Sequence, residues 1–266
     1  MIRKMTDRNT RHRISFVIPA LNEEAIIERT IREVVAVAGG RIHDYEIILI
    51  DDGSTDATGE VMDSLAASNE RIRVLHNDGN LGLGASYMRG LEVARFEYLM
   101  MLCGDGGLPA ASLPPILDAI GKADIVVPFI VNLKRIKTPS RYIISRCYTH
   151  LLNLLFQQNL KYYNGLPVHK LEFLKQIDIK STGFGFQGEI LTKLLKAGCS
   201  FVEVGVDGAE VTGNSYALTR KNIINVSKTI LLLVKELMWF DPSKLRTDLH
   251  KTATRALATD RGGPLD

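Results

Sequence analysis

The chain has 266 residues, 45% hydrophobic and 24% charged, which suits one or two globular domains with a sizeable core. Its formal net charge of +3 is too small to imply a nucleic-acid partner. Three widely spaced cysteines, Cys103, Cys147 and Cys199, exclude a disulfide framework and a paired-cysteine metal site, and point to a reducing compartment.

Residues 1–13 are basic but lack the apolar stretch of a signal peptide, so a disordered leader is expected over 1–12. Residues 14–18, Ile-Ser-Phe-Val-Ile, predict a short buried strand ending at Pro19. Asn22-Glu23-Glu24 supplies an N-cap and first-turn acids for a helix whose apolar positions are Ile27, Ile31, Val34, Val35 and Ala38, with Gly39-Gly40 as its stop. A second strand over 46–50 ends abruptly in Asp51-Asp52-Gly53-Ser54. A helix over 55–68 and a third strand over 71–76 follow. The loop Asn77-Asp78-Gly79-Asn80-Leu81-Gly82-Leu83-Gly84 leads into a helix over 85–95; its spacing is not the dinucleotide-binding G-x-G-x-x-G. A fourth strand over 98–102 ends in Cys103-Gly104-Asp105-Gly106-Gly107, and a helix over 113–120 precedes a fifth strand over 124–127.

This regular alternation predicts an α/β fold, a mostly parallel sheet flanked by helices with right-handed crossovers. Three strands end in polar loops, Pro19 to Glu23, Asp51 to Ser54 and Cys103 to Asp105, and parallel strands bring those ends to one edge. One nucleotide-sized crevice can be lined by all three. Asp51 and Asp52 there can accept hydrogen bonds from a nucleoside; alternatively one of them caps the next helix.

After Pro128 the regularity is lost. Residues 134–140 read as a basic loop, 142–158 as a helix, 162–167 as a turn or short strand, 186–197 as a helix carrying Glu189, and 201–206 as a strand. Gly213-Asn214-Ser215 is a loop before the basic entry, Arg220-Lys221, to a final amphipathic helix over 223–240. Residues 125–171 hold no Asp or Glu but contain Lys134, Arg135, Lys137, Arg141, Arg146, Lys161 and Lys170, which suggests an anionic partner. No apolar run approaches a membrane span, although the helices 142–158 and 223–240 could lie on a bilayer surface. The expected organisation is one domain over 13–240, divided into a nucleotide-binding half (13–128) and a helical acceptor half (129–240), and then a disordered tail over 241–266.

Val17-Ile18-Pro19-Ala20-Leu21-Asn22-Glu23-Glu24, Ile50-Asp51-Asp52-Gly53-Ser54-Thr55-Asp56-Ala57-Thr58 and Asn80-Leu81-Gly82-Leu83-Gly84-Ala85 together resemble family 2 glycosyltransferases of the Rossmann-like GT-A fold. The remainder, to about residue 235, is more weakly similar to the dolichyl-phosphate mannose synthase-like branch. The resemblance implies that Pro19, Ala20 and Glu23 contact the base, that Asp52 holds base or ribose with Asp51 and Ser54 in support, and that Gly82 lies near the nucleotide. It further implies Asp105 as the last acid of a D-x-D motif that binds metal and diphosphate. Arg141 and Ser145, with Arg135 nearby, then match an acceptor-phosphate element. Gly213 and Ser215 match a G-x-S loop, with Arg220 or Lys221 by the leaving diphosphate. The departure is Cys103, which stands where the first acid of D-x-D is expected. A hard Mg2+ or Mn2+ ion prefers oxygen, so Asp105 would hold it without Cys103.

The expectation is an inverting transfer from a UDP- or GDP-sugar to a polyprenyl phosphate, whose oxygen is already ionised. Asp105, Arg141 and, for a hydroxyl acceptor, Glu189 as base are the catalytic candidates. Two alternatives are a soluble transferase acting on a saccharide or small-molecule hydroxyl, and a catalytically silent nucleotide-sugar-binding protein. The reading places the chain in the cytoplasm, with peripheral contact at the inner face of the membrane for a lipid acceptor, and is compatible with a homodimer.

Overall fold

The computed structural model describes residues 12–183, 185–209 and 220–238. The expected tail and the Gly213–Ser215 loop lie outside these residues, as does all of the expected leader except His12.

Apolar runs form the two central strands. β1 (Arg13–Ala20) and β2 (Asp44–Asp51) are buried along nearly their whole length, because helices cover both faces of the sheet. β1 pairs in parallel with β2 on one side and with β4 (Tyr98–Met101) on the other, and β2 pairs in parallel with β3 (Ile72–His76). β5 (Ile125–Ile130) pairs in parallel with β7 (Phe201–Val206). Between β4 and β5 lies β6 (Val168–Lys170), antiparallel to both. The seven-stranded order is β3-β2-β1-β4-β6-β5-β7.

Alternate residues of the strands point to opposite faces. On one face Phe16, Ile18, Ile47 and Leu49 pack with α1 (Ile27–Gly39), α2 (Thr58–Ser68) and α4 (Leu113–Leu117). On the other, Val17, Ile48 and Ile50 pack with α3 (Leu83–Val93), α6 (Pro139–Phe156) and α8 (Phe186–Lys196). Each such aliphatic side chain stabilises the fold by about 1.5–3 kcal/mol through burial.

The strand order contains the feature that matters most. From β1 the chain steps outward to β2 and β3, then returns to place β4 on the opposite side of β1. A crevice opens at such a reversal, outside the carboxyl ends of the strands. Main-chain bonds continue past the strands here: the N–H of Asp52 and of Gly104 donate to the carbonyls of Ala20 (2.9 Å) and Pro19 (3.1 Å). Because β5 and β7 run parallel to β4, the segments after them reach the same edge.

Several local expectations are corrected. The turn at 162–167 is followed by β6, the antiparallel strand that joins the two halves of the sheet. The basic stretch from Lys134 contains a helical turn, α5 (Leu133–Ile136), and α6 starts at Pro139, a residue suited to a helix's first position. Asn22 does not cap α1, whose N-cap is Ile26; its side chain is taken by the β2 loop. α2 begins at Thr58, and α7 (Leu171–Leu174) follows β6 directly. No helix among the described residues is long and apolar enough to cross a membrane.

Candidate functional site

The loops after β1 and β2 are knitted into one unit. The Asn22 N–H donates to Ser54 Oγ (3.1 Å), and the Thr55 N–H donates back to Asn22 Oδ1 (2.8 Å). The Ala57 N–H donates to Glu24 Oε2 and the Glu23 N–H to Thr58 Oγ1, both at 2.8 Å. Pro19, Ala20, Glu23 and Ser54 are therefore brought together on a braced wall of the crevice. Asn22 is left-handed (φ 56°), a conformation that Asn adopts more readily than most residues, and Thr55 of the β2 loop holds its amide there.

The acid pair divides its work. Asp51 Oδ1 accepts from the Ser54 N–H (2.9 Å), and Oδ2 lies 3.0 Å from His76 Nδ1. Burial alone would raise the Asp51 carboxyl, but the bonds from Ser54 and His76 outweigh it and hold it below the usual carboxylate range. His76 Nε2 reaches Asp63 at 3.1 Å, and the two carboxylates raise the imidazole above its ordinary value.

Asp52 is only 5% exposed. Its Oδ1 accepts from Asn77 Nδ2 (2.6 Å), Ser86 Oγ (2.8 Å) and the Leu81 N–H (3.0 Å), and its Oδ2 accepts from the Gly82 N–H (2.9 Å). Three of the four bonds fall on Oδ1 and one on Oδ2, so the glycine loop is held mainly through one oxygen. In this conformation Asp52 shapes the glycine loop. Gly82 has φ 92°, which a side chain would oppose, and the Gly84 N–H donates to the Thr182 carbonyl at 3.1 Å. Asn77, Ser86, His76 and Thr182 are site-building residues that sequence reasoning missed. A Ser at a buried position of α3 was the available signal for one of them.

Beyond β4, Asp105 Oδ1 accepts from the Gly107 N–H (2.9 Å), which curls the loop and leaves the half-buried carboxylate on the crevice side of β4. Glu23 lies close enough that its carboxyl is raised, first by burial and then by the charges of Asp105 and Asp56. Burial pushes the Cys103 thiol well up, with Asp105 and Glu23 adding to the effect, and a neutral thiol is a poor partner for a hard cation. Among the described residues no three His, Cys, Asp or Glu side chains gather as a metal site. What the residues do fit is a cation carried by a diphosphate and touched by one or two carboxylates, the usual manner for Mg2+. Two acids near enough to feel each other's charge, Asp105 and Glu23, suit that arrangement.

The loop from Cys103 is tied to the segment after β7. The Ala209 N–H donates to the Gly107 carbonyl (3.2 Å), Ser112 Oγ donates to the Asp207 carbonyl (2.7 Å), and Asn132 exchanges two 2.9 Å bonds with Gly208. Asn132 begins the basic stretch: Arg135 is exposed on α5, and Arg141 and Ser145 share one face of α6. Lys137 Nζ reaches Ser145 Oγ at 3.5 Å and the Tyr162 hydroxyl at 3.2 Å. Arg220 and Lys221 open α9 (Arg220–Met238).

Glu189 requires a correction. It is fully buried, and its oxygens accept from the N–H groups of Lys180 (3.0 Å) and Ser181 (2.8 Å) and from Lys193 Nζ (2.6 Å). A carboxylate so enclosed cannot reach an acceptor hydroxyl. It anchors the 180–182 segment that supports Gly84.

A family model described as Glycosyl transferase family 2 matches residues 15–169. The chain is 28% identical over 212 residues to the undecaprenyl-phosphate mannosyltransferase of Micrococcus luteus, covering 74% of this chain and 84% of that one. It is 27% identical over 227 residues to glycosyltransferase AglD of Haloferax volcanii, covering 82% of this chain but only 36% of that protein. Among solved structures, glucosyl-3-phosphoglycerate synthase from Mycobacterium tuberculosis, crystallised with Mn2+, UDP and phosphoglyceric acid, superposes with a TM-score of 0.66. It is 20% identical, with 84% of this chain and 78% of that one covered. The last likeness establishes the fold, a GT-A arrangement.

Proposed function

This chain belongs to glycosyl transferase family 2, and we propose that it transfers a sugar, with inversion, from a nucleoside diphosphate sugar to a polyprenyl phosphate. The donor's nucleoside would lie between the wall that carries Pro19, Ala20 and Glu23 and the loop at Gly82, with its diphosphate towards Asp105. An acceptor phosphate oxygen attacks the anomeric carbon. As that bond forms, the bond to the diphosphate breaks and its electrons leave with the nucleoside diphosphate. A divalent ion, when bound, would neutralise charge on that leaving group. Asp105 would hold it, with Glu23 beside it. Arg135, Arg141 and Ser145 would orient the acceptor phosphate, a role that the fork of Arg suits. Gly213, Ser215, Arg220 and Lys221 remain candidates for the diphosphate side.

One observation carries the choice of acceptor. Glu189, the acid that a hydroxyl acceptor would need as base, is fully buried and bonded to Lys193. An ionised phosphate needs no base. The Micrococcus luteus relative, an undecaprenyl-phosphate mannosyltransferase by name, supports the same choice.

The test is a panel of UDP- and GDP-sugars offered with a polyprenyl phosphate or a saccharide, scored by release of nucleoside diphosphate with and without EDTA. Release that depends on the polyprenyl phosphate and falls with EDTA is expected. Transfer only to the saccharide would overturn the acceptor, EDTA-insensitive release would overturn the metal, and no release from any donor would favour a silent binding protein.

A further inference from the structure

α6 has two apolar faces, and only one of them is used by the fold. Thr149, Leu152 and Phe156 point inward. On the outside, Ile143 is 58% exposed and Leu154 79%, with Ile144, Leu151 and Leu155 also exposed and Cys147 among them. At 3.6 residues per turn these six positions fall within about 120° of arc. An 18-residue helix whose outer face is this apolar is unusual on a protein that ends at water. The final helix α9 differs: it turns Thr229 and Leu233 into the fold and ties Glu236 to Lys193 at 2.8 Å. Among its described side chains Ile224 and Leu231 are exposed, but the exposed Lys228 and Lys235 interrupt that face.

The charge around the outer face of α6 identifies its occupant. Residues 125–171 contain no acid. Arg146 and His150 border the apolar arc on one side, and Lys134 and Arg135, both exposed, precede the helix. A second copy of the chain seated by two-fold symmetry would set this basic, apolar surface against itself, like charge to like. A surface of anionic headgroups over hydrocarbon complements both features: the aliphatic side chains enter the acyl boundary, and the cations remain at the phosphates.

We propose that the outer face of α6 docks this protein on an anionic phospholipid surface. The docking accords with a polyprenyl-phosphate acceptor, since Arg141 and Ser145 lie on the same helix. It is nonetheless carried by a different surface and would survive failure of that acceptor.

The experiment therefore uses vesicles without polyprenyl phosphate. The full chain is sedimented with phosphatidylcholine vesicles and with vesicles of phosphatidylcholine and phosphatidylglycerol, at low and high salt. Binding is expected only to the anionic vesicles, weakening as salt screens the charges. The double substitution Leu151→Glu and Leu154→Glu should weaken it by more than tenfold, and Lys134→Glu by less. A polarity-sensitive dye on Cys147, the exposed cysteine on this face, should shift to the blue with anionic vesicles and reads the contact in a chain with its apolar face intact. Absence of binding, equal binding by the double variant, or a dye that does not respond would overturn the proposal. So would a wild-type dimer that the double variant converts to monomer, which would assign the face to a second copy.

Discussion

The main-chain N–H of Gly82 donates to Oδ2 of Asp52 at 2.9 Å, so a carboxylate at the end of β2 holds the loop that follows β3. Asn77, Ser86 and Leu81 complete the grip on the other oxygen. Asp52→Asn would turn an amide NH2 towards groups that are themselves donors. Unfolding free energy should fall by about 1–3 kcal/mol, the cost of leaving buried donors unmet. Nucleotide affinity measured by calorimetry should fall roughly tenfold as the loop loosens, equivalent to about 1.4 kcal/mol. Lost affinity with unchanged stability would instead make Asp52 a direct ligand group.

Gly84 tests the other support of the same loop. A Cβ there would lie 2.6 Å from the Thr182 carbonyl carbon and oxygen, which are backbone atoms, whereas a Cβ at Gly79 meets nothing within 4 Å. Gly84→Ala should destabilise the protein by about 1–3 kcal/mol, as overpacking does, and raise the KM for donor. Gly79→Ala should leave both within error. Equal effects from the two substitutions would show that the Thr182 contact does not position the loop.

The first half of the fold was legible because its signals are local. Ile47 to Ile50 is a buried run that stops at two acids, and helical spacing in α1 is plain from Ile27 to Ala38. β6 was not legible: Val168-His169-Lys170 has one apolar residue in three and is a strand only because β4 and β5 flank it. Its His169 is fully enclosed, and burial holds it neutral by pushing its pKa down to about 3, a condition no local pattern announces. The site's residue types were readable as well, but their partners were not. Hydrogen bonds such as Asp52 to Ser86 span 34 positions, and the enclosure that removes Glu189 from chemistry depends on the Lys180 and Ser181 N–H groups folding back onto α8.

Glu189→Gln should act as a stability variant. It removes the charge that Lys193 meets in the interior and presents an NH2 to one of the two main-chain N–H donors, while Lys193 keeps Glu236. A loss of about 3–5 kcal/mol, typical of a broken buried pair, is expected by denaturant unfolding. Turnover per folded molecule should be retained. Turnover that collapses at unchanged stability would restore Glu189 as a base.

His76 makes the loop after β2 respond to pH. Only the imidazolium can donate from both nitrogens, to Asp51 at 3.0 Å and Asp63 at 3.1 Å. Its folded-state pKa is raised, so the stability it contributes is fully present below its ordinary value of 6.5 and is lost as pH rises through the raised value. Asp51 is lowered, so its contribution is present above the ordinary 3.8 and is lost as pH falls through the lowered value. The stability difference between wild type and His76→Gln should therefore be largest between pH 3.8 and 6.5 and shrink at alkaline pH. A difference that does not vary with pH would mean that the bridge is made by neutral imidazole alone.

Cys103→Asp asks whether this site would take a cation if given a second motif acid. The wild-type thiol is held neutral by burial and by Asp105 and Glu23, while Glu23 is itself raised by burial and by Asp105. A further carboxylate there adds like charge, which a bound cation relieves without the uptake of a proton. In EDTA the variant should unfold at lower temperature than wild type. Added Mn2+ should recover it, and should raise the melting temperature of the variant more than that of wild type, with no substrate present. Cys103→Ser, which adds no charge, should show neither effect. If Mn2+ leaves the aspartate variant as unstable as EDTA does, the Cys103–Asp105 loop does not hold a metal in the absence of a diphosphate. A cation would then enter this site only with the diphosphate of the donor.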